Sequence, residues 1–261
     1  YDYDPDRARE LIAESGVTDF EAMTDLGREL RAGLSSHMTV GTPAVARQER
    51  STDGTTKFLL ELADGHLIES VFIPDTPSQT FCISTQVGCA MKCAFCLTGR
   101  MGIIRNLTAG EIAGQVRVLL RELGMLDQRF NIVLMGMGEP LHNYDATMKA
   151  LRILGDEHGL AVSPRRVTLS TVGVLPALER LASEPYMPNL AISLHSTTEE
   201  QRDRLVPINR KYALQDLLDA CRWIDRIASG VRIVFVRVGQ DAEPNSNRVV
   251  VPDGPLPSAE P

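Results

Sequence analysis

The 261-residue chain carries 27 Lys and Arg against 34 Asp and Glu, a net charge of −7, with 43% hydrophobic and 23% charged residues. That composition is ordinary for a soluble globular protein and excludes a fibrous or strongly disordered one. No apolar run approaches the roughly 18 residues of a membrane span, and the acidic opening lacks a signal-peptide core, so a cytoplasmic protein is expected. The acidic balance is also a poor footprint for nucleic acid. Any RNA contact would rest on local patches: Lys92, Arg100 and Arg105, the pair Arg165–Arg166, and Arg210–Lys211. Each patch alone reads as solvated surface.

The chain opens on Tyr1 rather than Met, which suggests an incomplete or processed N-terminus. Residues 1–40 read as two short helices, the remnant of a small helical domain. Their apolar stripe is Leu11, Ile12, Phe20, Met23, Leu26, Leu30 and Leu34, with Thr24 as a cap for the second. Residues 41–79 form a β-hairpin extension. Its strands are KFLLEL and HLIESVFI, joined at Ala63-Asp64-Gly65, a strong turn signal. From residue 80 to 238, short apolar strands alternate with helices. Strands are expected at Phe81–Thr85, Asn131–Met135, Arg166–Ser170, Leu190–Leu194 and Val231–Val238; helices near 108–123, 144–157, 175–183 and 214–228. Alternation of this kind implies right-handed βαβ units and a parallel sheet. Five units are too few for a closed eight-stranded barrel, so an open, partial α/β barrel is expected. Residues 239–261 hold five prolines and no periodicity, and read as a disordered tail.

Five cysteines are present, and Cys82, Cys89, Cys93 and Cys96 fall within fifteen residues. An odd count in such a chain argues against a disulfide framework. Cys89, Cys93 and Cys96 make a C-x3-C-x2-C run just after a strand. Three thiolates at this spacing can hold three irons of a [4Fe–4S] cluster and leave the fourth iron open. Zinc with Cys82 as fourth ligand, or buried unligated thiols, are the alternatives. Cys221, within the helical LLDACRWI, reads as core.

Other candidates end successive strands. Gly136-Met-Gly138-Glu139-Pro140 follows one strand: its glycines allow close backbone approach, and Glu139 can accept from a ligand ammonium. A tight βα turn is the plainer account. Ser170-Thr171 and Ser193-Leu194-His195 end the next two strands, where functional groups of parallel α/β folds gather. Alone, His195 would pass for a core or capping histidine.

The CxxxCxxC run with Phe95 before its last cysteine resembles the signature of the radical S-adenosylmethionine (SAM) superfamily. The phrases CISTQVGCAMKCAFC, RNLTAGEI, MGMGEPL, RRVTLSTVG, ISLHS and LVPINRKY are similar, over roughly residues 19–235, to consecutive motifs of the RlmN/Cfr family of RNA methyltransferases. The resemblance implies a partial (β/α) radical SAM barrel with a small N-terminal helical segment and hairpin. It implies a [4Fe–4S] cluster on Cys89, Cys93 and Cys96, with SAM held by Gly138, Glu139, Ser170, Ser193, Leu194 and His195. In the family the cluster's electron breaks the SAM sulfonium bond to give a 5′-deoxyadenosyl radical, and the protein supplies positioning.

The implied activity is methylation of adenine C2 in 23S rRNA, with tRNA as a further substrate and an electron donor such as flavodoxin; a monomer without membrane contact is expected. By the same resemblance Cys82 matches the resolving cysteine and Glu69 the proton-accepting glutamate. From the residues alone these are a buried strand thiol and an outward strand carboxylate. The chain departs from the family where a methyl-carrying cysteine should follow a sixth strand: beyond Cys96 it has only Cys221, and the late asparagine expected at SAM is missing. A truncated chain that binds cluster and SAM without completing methyl transfer is therefore expected. Another radical SAM activity, such as an activase or sulfur-inserting enzyme, and a non-catalytic cluster or RNA-binding module are the other readings.

Overall fold

A computed structural model describes residues 19–24, 26–38, 40–74, 79–126, 128–228 and 230–237. Leu11, Ile12, the first expected helix and the expected tail lie outside them. Helix α1 spans Arg28–His37 and begins at Gly27 rather than at a Thr24 cap, with no side chain capping it. Of the proposed N-terminal stripe, Phe20 and Met23 are fully buried, whereas α1 itself buries no residue completely.

Among the described residues the main sheet has eight strands: β1 (Ala44–Arg50), β2 (Thr56–Glu61), β3 (Leu67–Ile73), β4 (Thr80–Cys82), β7 (Asn131–Leu134), β8 (Val167–Thr171), β9 (Asn189–Ser193) and β10 (Ile233–Val236), adjacent in that order. From β4 to β10 all neighbours are parallel; β1 to β4 pair antiparallel. The parallel part meets the sequence expectation. The hairpin is also as read, but β1 adds a third strand to it. That strand, AVARQER, lies exposed at the sheet edge and carries no apolar alternation by which sequence could reveal it.

A second, two-stranded sheet pairs β5 (Gln86–Gly88) with β6 (Ile103–Asn106), and the short helix α2 (Leu97–Met101) lies between them in sequence. The expected strand Phe81–Thr85 is thus broken, its first half in the main sheet and its continuation turned into the small one. Helices α3 (Ala109–Leu123), α4 (Tyr144–Gly155), α5 (Leu175–Leu181), α6 (Glu199–Leu205) and α7 (Leu214–Ile227) follow. All but α6 match the periodic stretches; α6, EEQRDRL, looks wholly surface-like in sequence.

Sheet register explains how the core and the site share the strands. Phe81, Ile132, Val167, Leu169, Leu190 and Ile192 alternate onto one face and are completely buried. Ile112, Val116, Leu119, Leu151, Leu178, Leu217 and Ile224 from the helices are buried in the same core. On the opposite face Lys57 pairs with Val71, Val71 with Cys82, Cys82 with Val133 and Val133 with Thr168. This row is only half-covered. Side chains two apart share a face, so Glu69, Cys82, Ser170 and Ser193 all point to that open side.

Candidate functional site

The cysteine loop is fixed by glycines and backbone bonds. Gly88 ends β5 at φ 79°, and a Cβ there would stand 1.9 Å from the Gly102 carbonyl oxygen. Cys89 N–H donates to that oxygen at 2.9 Å, closing the loop at its mouth. Lys92 adopts the left-handed region at φ 55°, turning the chain between the first two cysteines. Ala94 N–H donates to Leu205 O at 2.9 Å, tying the loop to the end of α6.

Cys89 and Cys93 are 7% and 6% exposed, and Cys96 is half-buried. Burial pushes the Cys89 thiol up to about 11 and the Cys93 thiol to about 12, with the neighbouring thiols and Glu139 adding to both. Thiols in this state stay protonated in the empty loop and would release their protons to solvent when a metal cation takes their place on sulfur. Among the described residues no three His, Cys, Asp or Glu groups converge closely enough to hold one metal ion. Three cysteines in the loop match a cubane that keeps one iron open better than a four-ligand structural zinc site. Cys82 does not join the loop cysteines. It faces Glu69 and the Met135 backbone, and burial raises its thiol to about 12.

The Gly136–Glu139 segment is pressed against residues 83–86. A Cβ on Gly136 would lie 2.7 Å from Ser84 Oγ and 2.8 Å from the Ile83 backbone; one on Gly138, at φ 105°, would lie 2.7 Å from Gln86 Cβ. The glycines therefore serve protein–protein approach here. Glu139 is 3% exposed. Its Oε1 accepts from Leu141 N–H at 3.1 Å and its Oε2 from Val172 N–H at 2.9 Å. Burial nevertheless lifts its carboxyl to about 7. Two backbone donors fix its direction and leave further lone pairs for an ammonium ligand.

Ser170 Oγ and Ser193 Oγ are 3.3 Å apart at the ends of β8 and β9. Leu194 N–H and His195 N–H both donate to Val236 O, at 3.0 and 3.1 Å. His195 takes φ 60°, and its ring lies 4.2 Å from that of Phe95. Burial, helped by the Arg202 charge, lowers it to about 4 and keeps the imidazole neutral. The aromatic residue before the last cysteine thus joins the cysteine loop to the end of β9. Glu69 Oε1 meets Lys57 Nζ at 3.3 Å. The expected residues fall into two connected groups: Cys89, Cys93, Glu139 and His195 around the loop, and Glu69, Cys82, Ser170 and Ser193 along the open sheet face.

Sequence reading missed Arg202, which is 1% exposed. Its Nε donates to Asn209 Oδ1 at 2.9 Å, its Nη1 to Ser193 O at 3.0 Å and to Leu194 O, and its Nη2 to Val172 O at 2.7 Å. One faint signal existed: Arg202 lies four residues before Val206, the second residue of LVPINRKY and itself buried, so the two share the inward side of the chain there. Among the proposed RNA patches Arg105 is already committed, with Asp64 at 2.6 Å and Glu111 at 2.7 Å. It braces the β5–β6 hairpin rather than offering a free cation.

Comparison with known proteins agrees with this geometry. Residues 83–245 match the family model of the radical SAM superfamily. The chain is 47% identical over 241 residues to a dual-specificity RNA methyltransferase RlmN of Erythrobacter litoralis, covering 84% of this chain and 57% of the relative. It is 48% identical over 235 residues to the protein so named from Rhodopseudomonas palustris strain TIE-1, covering 84% and 59%. The chain therefore spans somewhat over half the length of these curated relatives. Among solved structures, a radical SAM methyltransferase from Sphaerobacter thermophilus superposes with a TM-score of 0.83 at 42% identity, over 88% of this chain and 69% of that one.

Proposed function

The chain belongs to the radical SAM superfamily, and on that premise we propose that it is the cluster- and SAM-binding part of an RNA methyltransferase acting on adenine C2. The superfamily works with a [4Fe–4S] cluster and SAM. Cys89, Cys93 and Cys96 would hold three irons of the cluster. When bound, such a cluster with one open iron supplies the chelation and the electron that cleave the sulfonium bond of SAM. Glu139, aimed by Leu141 and Val172 N–H, would receive the SAM ammonium. Ser170, Ser193, Leu194 and His195 would line the rest of the cofactor, and Gly138 lets its strand end pack on Gln86.

The observation that carries this reading is the cysteine loop packed on the strand ends: Phe95 lies against His195, Cys93 against Val172, and Val172 N–H donates to Glu139. Glu69 and Cys82 share the open sheet face, where an adenine would have to lie to meet both. There Glu69 would take a proton from the ring, and Cys82 would be the resolving thiol, whose sulfur pairs in a disulfide with the cysteine that carried the methyl group and so frees the RNA carbon. 23S rRNA and tRNA are the proposed substrates, a flavodoxin-type protein the electron donor. Anaerobic reconstitution with iron and sulfide tests the core of the reading: about four irons per chain are expected. Cys93→Ser should abolish that uptake. Material that takes up zinc and no iron would sink the assignment, and cluster uptake without SAM cleavage would leave only a binding module.

A further inference from the structure

Arg202 is a guanidinium removed from water, at 1% exposure, and burying such a charge costs several kcal/mol unless it is compensated. Its compensation comes from neutral groups. The acceptors are the backbone carbonyls of Ser193, Leu194 and Val172 and the amide oxygen of Asn209. Among the described residues the nearby carboxylates stop one bond short: Glu199 Oε2 and Asp203 Oδ1 accept from Asn209 Nδ2, at 2.6 and 2.8 Å. Carbonyl dipoles solvate the cation without cancelling its charge, so a positive field persists in a poorly screened region.

That field meets the cysteine loop. Cys93 packs with Val172 and Val206 in a small buried cluster, with Phe95, Cys96 and Leu205 against it. Val172 accepts from the guanidinium through its carbonyl at 2.7 Å, whereas Val206 N–H donates to the backbone oxygen of Arg202 at 2.7 Å. The cation is thus one packed residue, Val172, removed from a proposed iron ligand. It also holds the ends of β8 and β9, which carry Val172, Ser193 and Leu194.

We propose that Arg202 is the fixed counter-charge of the cluster site, a positioning residue that favours one-electron reduction of a cluster held by Cys89, Cys93 and Cys96. The inference rests on the ligation proposed above. Reduction takes [4Fe–4S]2+ to [4Fe–4S]+ with one electron, supplied in the test by dithionite, and adds one negative charge. A nearby cation stabilises that product more than the oxidised form.

The experiment is an EPR-monitored potential titration of the reconstituted full chain, with iron and sulfide counted in each variant. Arg202→Gln should lower the midpoint potential, and Arg202→Lys, which keeps the charge, should stay near the parent. Glu199→Gln, which removes an anion from the same network, should raise it. A fully loaded Arg202→Gln at the parent potential, or equal shifts in the Gln and Lys variants, overturns the proposal while the ligation stands. If Arg202→Gln cannot hold a cluster, Glu199→Gln decides, and an unmoved potential there is refutation. A parent chain that takes up no cluster overturns both the ligation and the role of Arg202.

Discussion

Glu139 carries the clearest pH signature of any single residue. Its folded value of about 7 stands above its ordinary 4.5 because burial disfavours the charged form. The folded chain therefore binds this proton more tightly than the unfolded one. Its contribution to stability is present at low pH and is lost as pH rises from the ordinary value through about 7. His195, lowered to about 4, works oppositely: its contribution is lost as pH falls from 6.5 towards that value. Denaturation of cluster-free protein across this range should show Glu139→Gln losing the decline towards neutral pH that the parent shows. Parallel curves for the two would contradict it. Gly88 has a harder constraint, since an alanine there meets the Gly102 carbonyl at 1.9 Å in a left-handed conformation. Gly88→Ala should cost at least about 2 kcal/mol and displace the mouth of the cysteine loop, read as reduced iron uptake together with a lower Tm.

Among the elements, α3 has the most completely capped start. Thr108 Oγ1 accepts from Glu111 N–H at 3.2 Å while Glu111 Oε2 accepts from Thr108 N–H at 2.8 Å, a reciprocal capping box. Glu111 also binds Arg105, so this cap and the β5–β6 hairpin stand together. Thr108→Ala should cost about 1 kcal/mol, a fall of about 2–4 °C in Tm for a domain of this size. An unchanged Tm would show that the Arg105–Glu111 pair alone holds the helix start. The elements that sequence reading missed share one property: β1, β5, α2, β6 and α6 are short or lack an apolar rhythm of their own. Polar, exposed β1 is held mainly by its pairing with β2, with Val45 its one contact to the core, and α6 is anchored by the bonds of its own Arg202 to the ends of β8 and β9.

At the scale of the molecule, one sheet divides the work. Its helix-covered face is dry and apolar, and its other face keeps Lys57, Glu69, Cys82, Ser170 and Ser193 within reach of a large ligand. With the cluster proposed for Cys89, Cys93 and Cys96, reconstituted and reduced protein is expected to convert SAM to 5′-deoxyadenosine, measured by chromatography of the quenched reaction. Cluster-loaded protein that leaves SAM intact would overturn that expectation. The Lys57–Glu69 pair is largely exposed, so Lys57→Met should change stability by less than about 1 kcal/mol, measured as a small shift in Tm.

The parallel βα order, the hairpin turn, the thiol spacing and the Gly138–Glu139 strand end were all legible in the sequence. Each depends on local pattern: period, turn chemistry, or residues a few positions apart. Only the tertiary structure decided that Cys82 stands with Glu69 instead of with the other thiols, that Phe95 meets His195, and that Arg202 is interior. Those facts depend on strand register and on which side of a helix faces the sheet. Chain neighbours leave both undetermined, because a polar side chain reads as solvent-facing until other elements pack over it.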